Sequence, residues 1–423
     1  MVLAWPGAMV KPINEVRISI KGLDLGMFVS RLDRPWVEAD FPLEGVLLRT
    51  REDLAKLQSA CAYVHVDISR GKSPELRYME FEKASLVEAA REREEIGALR
   101  ATRWQLETGL AEELPAAQAA HALLEQSIQE RMNDLAARRA VDLPRLQHGV
   151  DAMVASIVRN PSAFAWLKEM KRIDDYAYHH AMGCATWAAS FGRFLGLERA
   201  DLHTLALGGL LCDIGKTELP PALLATREPL TGKDWEILRG HVDLGVSLLS
   251  GIPDLAPVIV EMVSTHHERH DGSGYPRGLA GAQIPIFGRI MGLVDSYDAM
   301  TSLRPYAASH SPHYAVQELY NTRGSLFQAE LVEQFIQSCG IYPTGSLVEL
   351  STGEVGVVTE VHTLKRLRPK VMLLLATDKT PLDSFEEVDL SHFVEEHGGA
   401  RLDVVRGLPP GAYGINTREL FLD

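Results

Sequence analysis

Seven of the fifteen histidines lie between positions 179 and 270: His179, His180, His203, His241, His266, His267 and His270. Acidic groups and a thiol recur beside them, in YAYHHAMG around His180, LLCDIGK around Cys212 and Asp213, ILRGHVDLG around His241, HHERHDGSGYP from His266 and GLVDSYDAM around Asp295. Imidazole, carboxylate and thiol donors drawn from separated segments are what a polynuclear metal site in a helical bundle requires, because each cation takes ligands from different directions. Adjacent residues on a helix point about 100° apart, so the 212/213 and 266/267 doublets can each reach one cavity. Asp213 has two oxygens and can bridge two cations, and a water shared between them becomes acidic enough to act as a nucleophile near neutral pH. Phosphodiester hydrolysis needs that nucleophile and a positive charge on the phosphate, which Lys216, one turn beyond Asp213, can supply.

The elements that must position these groups follow from periodicity and composition. Residues 150–340, which hold the motifs, read as mainly helical. Before them, Val16–Ile20, Gly45–Leu48 and Tyr63–Val66 are β-rich, and Thr50 caps a short helix starting at Glu52. Residues 1–80 are therefore a small α/β domain without a cluster of ligating residues, suited to regulation or to docking a protein partner. From 81 to 149 the composition turns to Ala, Glu, Arg, Leu and Gln, the signature of a helical linker. Leu124, Ile128, Met132 and Leu135 recur at helical spacing and offer a face to a neighbouring helix or a second subunit, which allows a homodimer. Residues 341–423 turn to β, with strands predicted at 346–350, 355–358 and 371–375 and a turn at 351–354. The expected class is a multidomain, mainly α protein with a small N-terminal α/β domain and a small C-terminal β subdomain.

Composition narrows the chemistry. A chain of 423 residues with 46% hydrophobic and 24% charged residues can bury more than one core. Its net charge of -14 argues against binding DNA or RNA polymers, which demand basic faces, but leaves room for a small anionic ligand held by a metal and a few local cations. The four cysteines, Cys61, Cys184, Cys212 and Cys339, form no C-x-x-C pair, and no stretch is apolar for long enough to span a bilayer. The opening residues lack a cationic segment before a long apolar one, so a cytoplasmic, membrane-free protein is expected.

LLCDIGK, HHERHDGSGYP and VDSYDAMTSLRPY together resemble the HD-GYP family of bacterial cyclic di-GMP phosphodiesterases, over roughly residues 150–340. The N-terminal segment is similar to a domain of unknown function that often precedes HD-GYP domains, and the β tail resembles an extension that often follows them. The resemblance implies an HD-type helical domain with metal ligands at His180, Cys212, Asp213, His241, His266, His267 and Asp295. It also implies Asp213 and Lys216 as catalytic, and Lys216, Gly274, Tyr275 and Arg304 as substrate contacts. Two divalent ions, iron or manganese, and hydrolysis of cyclic di-GMP to pGpG follow from it.

Three positions depart from the family pattern. Cys212 stands where the name-giving histidine belongs, and a thiolate is softer than imidazole and less suited to manganese. This leaves a second reading open, a protein that binds the dinucleotide or a partner with little hydrolysis. Tyr176 stands where a glutamate accompanies a third metal, so two ions are expected. Ala307 removes a basic residue after the RPY triplet. Isolated helical histidines are more often structural than ligating, and His179, His203, His310 and His313 are read so. His270 is read as a loop residue and Cys184, one turn from His180, as a small buried hydrophobe. Asp298 is read as a partner that orients a ligating imidazole.

Overall fold

The computed structural model describes residues 15–32, 46–61, 63–67, 70–72, 92, 94–136, 143–170, 176–226, 231–302, 310–362, 365, 367–393, 402–409 and 411–415. The chain divides into two compact units, one spanning Ala4–Glu94 and a larger one that includes Glu95–Asp423.

In the smaller unit, strands β1 (Glu15–Ser19), β2 (Phe28–Leu32), β3 (Val46–Leu47) and β4 (Tyr63–Asp67) form an antiparallel sheet in the order β1-β4-β2-β3. The Tyr-Val-His-Val alternation of β4 sends Val64 and Val66 into the core with Ile18, Val29, Leu48 and Leu57. Helix α1 (Arg51–Ala60) starts where Thr50 Oγ1 accepts the Asp53 N–H at 3.1 Å. Strand β2, which the sequence reading left without an assignment, is the partner of both β3 and β4.

The larger unit is built on helices α2 (Leu110–Ala136), α3 (Leu143–Arg159), α4 (Pro161–Met170), α5 (Tyr176–Leu195) and α6 (Arg199–Leu211). They continue as α7 (Pro221–Leu224), α8 (Gly232–Arg239), α9 (His241–Ser250), α10 (Pro257–Thr265), α11 (Ile286–Thr301), α12 (Pro312–Asn321) and α13 (Ala329–Cys339). Leu124 and Ile128 of the helical stripe are buried in this core beside Leu146 and Val150, whereas the side chains of Met132 and Leu135 lie outside the described residues. At its centre Tyr297 meets Trp187 and Phe335 edge to face, each at 5.1 Å between ring centroids, and Phe335 meets Phe191 in the same way. These aromatics tie α5, α11 and α13 together and thereby fix the helices that carry His180 and Asp295.

The tail forms a second antiparallel sheet of β5 (Leu347–Leu350), β6 (Val355–Glu360), β7 (Lys370–Leu375), β8 (Pro381–Asp389) and β9 (Val404–Gly407), in the order β8-β7-β6-β5-β9. Leu347, Val355, Val357 and Leu375 pack with Trp166 of α4 and with Leu110 and Leu114 of α2, so the sheet shares a hydrophobic seam with the bundle. The protein is thus multidomain and mainly α, with a small sheet towards each end. No described helix is long and apolar enough to cross a membrane.

Candidate metal centre

Five elements deliver the donors. Asp213 follows the C-terminus of α6 at the entry to a 3-10 turn, His241 opens α9, and His266 caps α10 with His267 next to it. His180 and Asp295 lie within α5 and α11. Gly215 lets the 3-10 turn sit directly on α9, since a Cβ there would fall 1.9 Å from the His241 carbonyl oxygen. One donor atom each from Asp213, His241, His266 and His267 falls within a 4.8 Å group, and His180, Cys184 and Asp295 form a second such group.

Asp213 faces both groups. Its Oδ1 is 3.3 Å from His241 Nε2 and 3.9 Å from His266 Nε2, while its Oδ2 is 3.5 Å from His180 Nε2. The imidazoles are oriented from behind: His241 Nδ1 donates to the Leu238 carbonyl at 2.7 Å and His266 Nδ1 to that of Val263 at 2.6 Å. With the proton on Nδ1, each Nε2 turns a lone pair towards the centre. His241 Nε2, His266 Nε2 and Asp213 Oδ1 are buried there without completing a hydrogen bond. Buried lone pairs facing one another cost free energy unless a cation lies between them, so the donor set fits a divalent metal.

Electrostatics agree. Burial lowers the pKa of His266 to about 4 and drives that of His267 well below the usual imidazole range, so both are neutral donors at pH 7. Burial alone would raise the pKa of Asp213, but the lowering causes, led by the paired Lys216 ammonium, outweigh it and hold the carboxyl well below its ordinary range. Asp295 is likewise raised by burial and lowered more by His180, which it meets at 3.0 Å.

Behind His180 runs a buried polar chain. Its Nδ1 donates to Asp298 Oδ2 at 2.8 Å, Ser302 Oγ donates to the same oxygen at 2.9 Å, and Lys168 Nζ reaches Asp298 Oδ1 at 2.7 Å. Asp298 thus has the orienting contact expected of it. Lys168 was not singled out from the sequence, because a lysine well upstream of the motif around His180 carries no local signal.

The signature loop supports the 266/267 pair. Gly274 presses on the chain just after the pair, where a Cβ would stand 2.3 Å from the Arg269 nitrogen and 2.5 Å from the Glu268 Cα. Tyr275 donates its N–H to the His267 carbonyl at 3.1 Å and stacks its ring on the His267 imidazole at 4.7 Å. The buried Glu268 carboxylate accepts the Arg277 and Leu279 N–H groups at 2.8 and 2.9 Å and staples the far side of the loop. Arg239 lies over the Tyr275 ring at 5.2 Å, a cation that the sequence reading did not name.

Two positions differ from the sequence reading. The thiol in the His180 and Asp295 group is Cys184, not Cys212. Cys212 is fully buried and its Sγ turns back to the Gly209 carbonyl at 3.2 Å. Arg304 and Ala307 lie outside the described residues, as does the side chain of Tyr176.

A helical bundle with paired histidines, separated imidazoles and a carboxylate between them defines a metal-site domain of the HD type, and residues 157–331 match the HD domain family. Residues 15–146 match a domain of unknown function (DUF3391), and residues 347–393 match a KOW domain associated with HD domain. The chain belongs to the HD-GYP family. It is 31% identical to a cyclic di-GMP phosphodiesterase of Pseudomonas aeruginosa, covering 96% of this chain and 94% of that relative. It is 30% identical to the cyclic di-GMP phosphodiesterase response regulator RpfG of Xanthomonas campestris, over 53% of this chain and 56% of the relative. A 3'3'-cGAMP-specific phosphodiesterase of Vibrio cholerae shares 32% identity over 37% of this chain and 30% of the relative. Among solved structures, an HDG"Y"P protein from Bdellovibrio bacteriovorus aligns with a TM-score of 0.44 at 14% identity, over 76% of this chain and 98% of that chain.

Proposed function

We propose that the protein hydrolyses one phosphodiester bond of cyclic di-GMP to give the linear dinucleotide pGpG, with two divalent ions, iron or manganese, held around Asp213. The observation that carries this reading is the position of the Asp213 carboxylate, with Oδ1 towards His241 and His266 and Oδ2 towards His180. His241, His266 and His267 would hold one ion and His180 and Asp295 the other. Bound there, the ions would neutralise phosphate charge and activate water. Lys216 keeps Asp213 ionised and presents its ammonium beside the site, where negative charge grows on the phosphate during attack. Tyr275, with Arg239 over its ring, forms a flat cationic wall suited to a nucleobase or phosphate. Gly274 and Glu268 hold the loop so that this wall keeps its place beside His267. Two ions and a pGpG product go with Tyr176, which offers no carboxylate for a third ion.

The smaller N-terminal unit would receive the input, from a protein partner or a second copy of the chain. The four cysteines are buried as free thiols, which suits a cytoplasmic location. Protein loaded anaerobically with iron or manganese should release pGpG from cyclic di-GMP by chromatography, and Asp213→Ala should not; equal rates would overturn the reading.

Cys212 favours a second reading, a module that binds cyclic di-GMP without cutting it, because the thiol at the family's histidine position points to a backbone carbonyl. If Cys212→His gains turnover by orders of magnitude at unchanged ligand affinity, the binding role is the native one.

A further inference from the structure

We infer that Cys184, and not Cys212, supplies a sulfur ligand to the ion held by His180 and Asp295, so that a thiol on a neighbouring helix takes over the place of the family's histidine. The inference rests on the metal-centre reading above and deepens it. Cys184 lies four residues after His180 on α5, and residues at that spacing share a helix face. Its Sγ is 3.7 Å from His180 Nε2 and 3.9 Å from Nδ1. Sulfur and nitrogen ligands at metal distances of about 2.3 and 2.0 Å stand roughly 3.5 Å apart around a tetrahedral ion, close to the spacing from Sγ to Nε2. The similar distance to Nδ1 places the sulfur over the imidazole ring, so a turn about the Cys184 Cα–Cβ bond brings it round to the Nε2 side as the ion binds. Sγ, His180 and the Asp295 carboxylate form one buried group of donors within 4.8 Å, and Asp213 Oδ2 approaches the same His180 nitrogen.

Cys212 is placed differently. It caps the C-terminus of α6, and its sulfur is engaged with the carbonyl of Gly209 in its own last turn. The residue that leaves that helix end towards the donors is the next one, Asp213. The two thiols are close enough to interact.

The consequence is a softer ligand set on one side of the centre than on the other. His180, Cys184, Asp295 and Asp213 suit iron, cobalt or zinc better than manganese or magnesium, whereas the triple-histidine side with Asp213 has no such preference. On metal uptake the Cys184 S–H proton leaves to solvent as the sulfur–metal bond forms, with no change in oxidation state.

Cobalt(II) is the probe, because thiolate coordination adds an intense near-ultraviolet sulfur-to-cobalt charge-transfer band. The full-length wild-type protein and Cys212→Ser should both show this band during anaerobic cobalt titration. Cys184→Ser should lose the band, release one proton equivalent fewer to the buffer on cobalt binding, and bind one cobalt at least about tenfold more weakly. A band that vanishes in Cys212→Ser and persists in Cys184→Ser would overturn the inference, as would wild-type protein that binds cobalt with no sulfur band. Either result leaves the metal centre itself standing. A wild-type protein that binds no cobalt, iron or manganese would instead remove the metal reading and this inference with it. If Cys184→Ser does not fold, the Cys212→Ser protein decides alone, since Cys184 is then the sole thiol left in the donor group.

Discussion

Replacing Asp298 by Asn tests whether the buried chain behind His180 sets the geometry of the centre. The carboxylate is fully buried and receives the Lys168 ammonium at 2.7 Å, the His180 N–H at 2.8 Å and the Ser302 hydroxyl at 2.9 Å. Burial alone would raise its pKa, but Lys168 and then His180 reverse that and hold it well below the carboxylate range, so it is charged at pH 7. An amide is nearly isosteric but neutral. It removes the charge that Lys168, itself 3% exposed, meets at 2.7 Å, and losing one partner of a buried ion pair costs about 3–5 kcal/mol. The amide can also turn its NH2 towards His180 Nδ1, which moves the imidazole proton to Nε2 and removes the lone pair aimed at Asp295 and Asp213. Loss of such an orienting contact lowers metal affinity by about 10–100-fold. Urea unfolding of the metal-free protein reads the first effect, and anaerobic metal titration under native conditions reads the second. A variant within about 1 kcal/mol of wild type and of equal metal affinity would refute the role of the chain.

Glu113 in α2 accepts two hydrogen bonds from Arg159 at the end of α3, at 2.8 and 2.7 Å, and Glu113→Gln should cost about 1–3 kcal/mol at pH 7 by denaturant unfolding. Burial would raise the Glu113 pKa, but the Arg159 guanidinium and the Ser156 and Thr108 hydroxyls together outweigh it and lower the pKa. A depressed folded-state pKa gives stability that is full above the unfolded value of about 4.3 and is lost as pH falls below it, so the difference between the two proteins should shrink at pH 3. Gly274→Ala forces its Cβ onto the backbone of residues 268 and 269 and should lower both stability, by about 1–3 kcal/mol, and turnover. Gly232→Ala, whose Cβ meets nothing, should leave turnover unchanged and stability within about 1 kcal/mol. Chelation of the bound metal should lower the unfolding free energy by about 2.7 kcal/mol relative to protein held at a metal concentration 100 times the dissociation constant, measured by paired denaturation curves.

Much of the fold was legible because it is local. Thr50 announces α1 through its side-chain cap, and the Val-His-Val alternation announces β4. Strand β8 was not legible, since it is an exposed edge strand whose Glu386 and Glu387 give no apolar alternation, and its pairing with β7 supplies what the side chains do not. Strand β9 escaped for the same reason: Val405 and Arg406 face solvent, and only the ladder to β5 defines it. Among the donors, the 266/267 pair sits in an unmistakable motif, whereas His180 and Asp295 gain meaning only from one another.

By itself the sequence determined the kinds of donor available, the loop that must follow the paired histidines and the helical character of the segment that carries them, because these depend on residue type and short spacing. The tertiary structure decided which side chains meet. His180 reaches Asp298 across 118 positions of chain, Lys168 arrives from a third helix, and the thiol beside His180 is the one on its own helix face and not the one in the family's motif. Helix packing sets those encounters, and the direction of a side chain at a helix end is fixed by the turn it terminates, which no pattern of letters around Cys212 encodes.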